Sequence, residues 1–133
     1  MNKILVTGGA GYIGSHVTEQ LVKSKIDVVI LDNLKTGYKS LINKKAKFIK
    51  GDISNIKLLK KIIKHNNIST IIHLAGFIDV IESQRNKKKY YKNNVLGTLA
   101  LIKTIKNSTV KNFIFSSSAA VYGNIKKAAK ETM

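Results

Sequence analysis

The apolar residues of this chain fall into short unbroken blocks separated by stretches with helical spacing, and that alternation confines it to a narrow class of folds. The blocks are Ile4-Leu5-Val6, Val28-Val29-Ile30-Leu31, Phe48-Ile49, Ile71-Ile72-His73-Leu74 and Phe113-Ile114-Phe115. Continuous runs of this kind suit parallel strands buried on both faces, whereas half-exposed strands alternate apolar and polar residues. Between the blocks, Ile13, Val17 and Leu21 share one helical face, and Ile56, Leu59 and Ile63 share a second. Val95, Leu99, Ile102 and Ile105 form a third. The order predicts an α/β fold, an open parallel sheet of about five strands, doubly wound with right-handed crossovers. At 133 residues the chain has room for one domain.

The first block runs into Thr7-Gly8-Gly9-Ala10-Gly11-Tyr12-Ile13-Gly14-Ser15-His16 and then directly into the first helical stretch. This satisfies G-x-G-x-x-G from Gly9, and T-G-x-x-G-x-x-G from Thr7 through Gly8, Gly11 and Gly14. Glycines here let the chain turn tightly, let backbone N–H groups approach a pyrophosphate, and let helix and strand pack closely. The helix N-terminus adds partial positive charge. Placed between strand and helix in the first crossover, the motif predicts a Rossmann-like dinucleotide-binding unit over residues 1–133. A Walker-type loop is excluded, because no Lys-Ser/Thr follows the last glycine.

Asp32, at the end of the second block, lies 18 residues after Gly14. That is close to the spacing of about 20 expected for a carboxylate gripping the adenosine ribose hydroxyls. Its charge repels a 2′-phosphate and favours NAD over NADP; the neighbouring Lys35 is a cation that softens the preference. Ligands in such sheets cross the carboxyl ends of the strands at the switch point. Gly51-Asp52-Ile53 would then border the adenine, and Leu74-Ala75-Gly76 the pyrophosphate and nicotinamide ribose.

Formal net charge is +17, from 24 basic and 7 acidic residues, which invites a nucleic-acid reading. Yet 23 of the basic residues are lysines and only Arg85 is an arginine. Base readout and bidentate phosphate clamps favour the arginine fork. Lysine, isoleucine and asparagine, all with AT-rich codons, supply 54 residues, and proline, with GC-rich codons, is absent. Codon bias accounts for both, so no specific nucleic-acid partner is expected. No cysteine is present, which excludes a disulfide scaffold, a thiolate metal site and a thiol nucleophile. No metal site is expected. No apolar run approaches a membrane span, and no signal peptide is recognisable, so a cytoplasmic location is expected.

The motifs resemble the amino-terminal part of the UDP-glucose 4-epimerase family, within the extended short-chain dehydrogenase/reductases. The resemblance runs through residues 7–16, Leu31-Asp32-Asn33-Leu34, Gly51-Asp52-Ile53 and His73-Leu74-Ala75-Gly76. It continues in Asn93-Asn94-Val95-Leu96-Gly97-Thr98 and Ser116-Ser117-Ser118-Ala119-Ala120-Val121-Tyr122-Gly123. Related sugar-nucleotide dehydratases resemble the chain too, but carry Thr-Asp-Glu where it has Ser118-Ala119-Ala120. The resemblance implies a tightly held NAD and a UDP-hexose substrate oxidised at C4 to a 4-keto sugar, which then receives the hydride on its other face. It further implies cofactor contacts at Tyr12, Ile13, Asp32, Asn33, Leu34, Lys35, Thr36, Asp52, Ile53, Leu74, Ala75, Gly76, Phe77, Ile78 and Asn93. Ser118 matches the serine that hydrogen-bonds the sugar 4-oxygen, and suits a relay or oxyanion donor because no His base is identifiable beside it.

The family's base is the tyrosine of a helical Tyr-x-x-x-Lys roughly 25 residues past the serine, near position 143, its pKa lowered by the lysine. The formal match at Tyr122-Gly123-Asn124-Ile125-Lys126 is read as a decoy, because Gly-Asn disfavours the helix that would align both side chains. The family's Val-Gly-Glu-Ser reads Val80-Ile81-Glu82-Ser83, and Lys87 and Ile125 stand where prolines are common. The expectation is a truncated NAD-binding portion, inactive by itself, with a non-catalytic remnant or another NAD-dependent sugar-nucleotide epimerase or dehydratase as the alternatives. Family members form homodimers through two helices, of which residues 89–106 correspond to the first.

Overall fold

The computed structural model describes residues 3–125 and 128–132. Strands β1 (Lys3–Thr7), β2 (Val28–Asp32), β3 (Lys47–Lys50), β4 (Ile68–His73) and β5 (Asn112–Phe115) form one sheet in the order β3-β2-β1-β4-β5. Every neighbouring pair is parallel. Thr7 stands opposite both Leu31 and His73, so the three central strands end level. The chain steps outward from β1 to β3, then returns to lay β4 on the other side of β1. That reversal opens a crevice above the ends of β1 and β4.

The helices are α1 (Tyr12–Lys23), α2 (Ile56–His65), α3 (Val80–Arg85), α4 (Lys87–Tyr90) and α5 (Gly97–Ile105), with a π-helical segment, Tyr91–Leu96, joining the last two. On one face of the sheet Leu5, Val29, Leu31 and Ile71 pack with Leu59, Ile62 and Ile63 of α2 and Leu101 of α5. On the other face Val6, Val28 and Ile30 meet Leu21 and Val22 of α1. All five residues of β2 are buried, as its unbroken apolar run predicts.

In two helices the inward face is rotated from the one the apolar spacing marks, with only Leu21 of α1 and Ile105 of α5, among the residues so marked, packed against the core. In α1 the buried residues are Gly14 and Thr18, while Ile13 is exposed. A Cβ on Gly14 would lie 2.1 Å from the Gly8 carbonyl oxygen, so the helix crosses the loop where no side chain fits. In α5, Gly97, Ala100, Leu101 and Thr104 are buried, and Leu99 and Ile102 face out with Val95. A Cβ on Gly97 would approach Ile53 Cδ1 to 2.8 Å. Close packing selects glycine at these two crossings, Gly14 and Gly97. At the sheet edge, β5 has only Phe113 half-buried; Ile114 and Phe115 are exposed.

Candidate functional site

The strand ends converge on a cleft at the reversal of strand order. Gly8 and Gly11 line it from the glycine loop, and Asp32, Asn33, Thr36 and Gly37 from the segment after β2. Ile53 follows β3, Leu74 through Phe77 follow β4, and Asn93 reaches in from the π-helical segment.

Glycine is required at two points of the loop. Gly8 has φ +75°, and a Cβ there would meet the Ala75 nitrogen at 2.8 Å; Gly14 touches the Gly8 carbonyl as described. α2 and α3 are capped by side chains, with Asn55 accepting from Leu58 N–H and Asp79 from Glu82 N–H. α1 begins after Gly11, which has no side chain to cap it. Its first backbone donors and its dipole therefore face the cleft mouth, ready for an anion.

Asp32 is buried at the end of β2. Its Oδ2 accepts the Ala10 N–H at 3.0 Å and its Oδ1 the Leu34 N–H at 2.8 Å. A carboxylate offers about four lone-pair sites, so about two remain for ligand hydroxyls. The second bond also holds Leu34 in the left-handed region, at φ +59°. Lys35, whose charge bears on the 2′-phosphate question, has its ammonium 3.5 Å from Asp52. Burial raises the pKa of Asp52, but bonds from the Ser54 backbone N–H, the Asn33 amide and the Ser54 hydroxyl, with Lys35 beside it, outweigh that and hold it at about 2.

Beneath the cleft, His73 closes β4 almost fully buried. Its Nδ1 lies 2.6 Å from Thr7 Oγ1 and its Nε2 2.8 Å from Thr98 Oγ1. Desolvation by burial pushes its pKa down to about 4, so the ring is neutral. On the wall after β4, the Asn94 amide bonds both backbone groups of Phe77.

The residues expected to contact cofactor are not all on the wall. Gly14 lies behind the loop, buried against Gly8. Asp52 reaches the rim through the Asn33 amide, 2.9 Å away. Tyr12 and Ile13 project from the exposed first turn of α1, and Leu34 and Lys35 form the turn past Asp32. Ile78 is 91% exposed. Ser118 is exposed in the segment leaving β5, at the same end of the sheet as the cleft. Tyr122 ends a 3-10 turn (Ala119–Tyr122), Gly123 follows at φ +62°, and Lys126 lies outside the described residues. Gly51, expected to border the adenine, also lines the cleft with Leu31. Leu31, Gly37 and Asn94 are not among the residues that the sequence points to as site residues. Gly37 packs 2.9 Å from Ala10 by its virtual Cβ, and the Tyr38 N–H beside it bonds the Ala10 carbonyl. A Thr-Gly turn shortly after the acid is the signal that marks it.

The sequence profile of the NAD dependent epimerase/dehydratase family matches residues 4–133. The chain belongs to that family. Among individual proteins, a UDP-glucose 4-epimerase from Haemophilus influenzae is 49% identical over 130 residues, covering 92% of this chain and 38% of the relative. A crystal structure of a UDP-glucose 4-epimerase superposes with a TM-score of 0.91 at 41% identity, over 99% of this chain and 41% of that one. The Thermus thermophilus UDP-glucose 4-epimerase complex with NAD gives 0.90 at 31% identity, over 98% and 43%. This epimerase/dehydratase chain thus spans about two-fifths of the length of the Haemophilus influenzae and Lactobacillus helveticus relatives. Among the described residues no helix is long and apolar enough to cross a membrane.

Proposed function

We propose that this chain is the NAD-binding portion of a UDP-glucose 4-epimerase. The observation that carries the reading is the seating of Asp32: a buried carboxylate held by the Ala10 N–H of the glycine loop, with lone pairs left for a ribose. The identity to UDP-glucose 4-epimerases and the NAD held by the Thermus thermophilus relative support the choice of reaction and cofactor.

On this reading the glycine loop and the start of α1 receive the pyrophosphate, with Tyr12 and Ile13 beside it. Asp32 takes the adenosine ribose and disfavours a 2′-phosphate, since Lys35 is engaged by Asp52. Asn33 through Thr36, Asp52 and Ile53 border the adenosine, and Leu74 through Ile78 with Asn93 border the nicotinamide ribose. Bound NAD supplies a hydride acceptor for C4 of a UDP-hexose. Ser118 donates a hydrogen bond to the sugar 4-oxygen. The general base and most of the UDP-hexose site belong to sequence beyond these 133 residues, and the exposed face of Val95, Leu99 and Ile102 suits a homodimer. The location is the cytoplasm.

The test is a titration of the purified 133-residue polypeptide with NADH and NADPH, followed by nucleotide fluorescence. NADH is expected to bind at least about tenfold more tightly than NADPH, the scale of one close like-charge contact. No epimerisation of UDP-galactose is expected. Failure to bind NADH, or equal affinity for NADPH, defeats the cofactor assignment; turnover by this polypeptide alone defeats the placement of the base.

A further inference from the structure

We propose that Asn94 is the positioning residue of the nicotinamide half of the cleft, holding the Phe77 backbone and the Asn93 side chain in register with the glycine loop. The inference rests on the NAD-binding reading above.

Phe77 lies past the end of β4, where no strand flanks it, yet its backbone is bonded in both directions. Asn94 Nδ2 donates to the Phe77 carbonyl at 2.9 Å, and Asn94 Oδ1 accepts the Phe77 N–H at 2.9 Å. One side-chain amide here does the work of a neighbouring strand. The same Oδ1 accepts the Asn93 amide at 2.9 Å. Asn94 therefore fixes one wall of the cleft by its backbone and another by its side chain. None of these bonds reaches Asp32 or Asp52 at the adenosine end.

Asn94 is itself aimed by a chain of bonds that starts at the glycine loop. The Thr98 hydroxyl, in the first turn of α5, donates to the Asn94 carbonyl of the π-helical segment at 2.6 Å. Its proton is thereby committed, so it accepts from His73 Nε2–H. His73 Nδ1 is then the acceptor for the hydroxyl of Thr7, the residue before Gly8. The line Thr7–His73–Thr98–Asn94–Phe77 runs under the cleft and ties its two sides together. Such a tie costs little where the ligand fills only one side, and matters when one ligand must span both.

The experiment compares NADH, which spans the cleft, with ADP, which fills only the adenosine half, on the 133-residue chain and its N94A, T98V and T98S variants. N94A is expected to weaken NADH at least about fivefold, the scale of one or two lost hydrogen bonds, and ADP less than about twofold. T98V should weaken NADH in the same direction, and T98S, which keeps the hydroxyl, should restore it. Amide exchange at Phe77 should quicken in N94A. Equal losses for ADP and NADH, or unchanged NADH affinity in N94A, overturn the inference alone. A wild-type chain that binds no NADH overturns the cofactor reading and this inference with it. If N94A does not fold, the difference between T98V and T98S decides by the same comparison.

Discussion

His73 Nδ1 and the Thr7 hydroxyl, 2.6 Å apart, join the level ends of the two strands that flank the switch point. The bond needs a neutral ring, because Thr98 takes the proton on the other nitrogen. Burial depresses the pKa of this histidine from 6.5 to about 4. The unfolded chain therefore binds more protons than the folded one between those values. Stability is full above about pH 6.5 and falls as pH drops toward 4, by up to roughly 3 kcal/mol. Asp52, lowered from 3.8 to about 2, adds a loss only at still lower pH. Urea denaturation at pH 7, 5.5 and 4.5 should show the decline in the wild type. His73→Gln should be less stable at pH 7 but nearly flat across that window; an undiminished decline in the variant would remove His73 as its source.

Gly14 is where α1 rests on the phosphate loop. Gly14→Ala pushes a methyl into the Gly8 carbonyl, which is backbone and cannot step aside. The helix must shift, at a cost of about 1–3 kcal/mol. NADH affinity should fall more than tenfold with it, on the order of that strain. Gly123→Ala supplies the contrast, since its virtual Cβ meets nothing within 4 Å despite φ +62°. It should cost about 1 kcal/mol and leave NADH binding unchanged. Matching losses in the two variants would mean that glycine content, and not the loop contact, sets the effect.

Asp32→Asn keeps a side chain of the same shape but removes the charge that takes the Ala10 N–H and that, on the proposed reading, disfavours a 2′-phosphate. NADH should bind about tenfold more weakly, and NADPH about as well as before or better, the scale of a lost charge-assisted bond. Competition titrations of the two nucleotides read this directly. If both affinities fall in parallel, Asp32 supports the loop without selecting the cofactor.

The sheet was legible because both-sided burial writes itself into sequence as unbroken apolar runs, and all of β2 obeys it. The inward helix faces were not. Periodicity finds large apolar side chains, whereas α1 and α5 approach the sheet and its loops on Gly14, Thr18, Gly97 and Ala100. Large residues such as Leu99 were displaced outward by that close contact. In the candidate site, the positions of the glycine loop and Asp32 on the cleft were readable because each is set by local geometry and fixed spacing. Asn94 was not, since the bonds that fix the cleft wall reach Phe77, 17 residues away and on another element.

Thr18 is fully buried in α1, and its hydroxyl has no hydrogen-bond partner among the described residues. Thr18→Val replaces the hydroxyl with a methyl of equal size and leaves the β-branch, so packing is kept. Removing an unsatisfied buried polar group should stabilise the fold by about 1 kcal/mol. A denaturation midpoint that falls instead would show that the hydroxyl is satisfied within the folded chain.

Among the described residues β5 pairs with β4 alone, and two of its three apolar residues are open, Ile114 at 53% and Phe115 at 57%. An uncovered apolar edge with free backbone groups is a template for strand addition. The 133-residue polypeptide should therefore associate as its concentration rises, with growth in light scattering. The outer face of α5 offers a second apolar surface, so the two sources need separating. Ile114→Lys places a charge on the strand edge, the means by which native edges resist pairing. Leu99→Lys does the same on the helix. The edge is the greater hazard, because strand addition also satisfies backbone N–H and C=O groups, which helix docking does not. Ile114→Lys should suppress association more than Leu99→Lys; the reverse order would assign it to the helix face, and a monodisperse, cooperatively melting wild-type monomer would remove both.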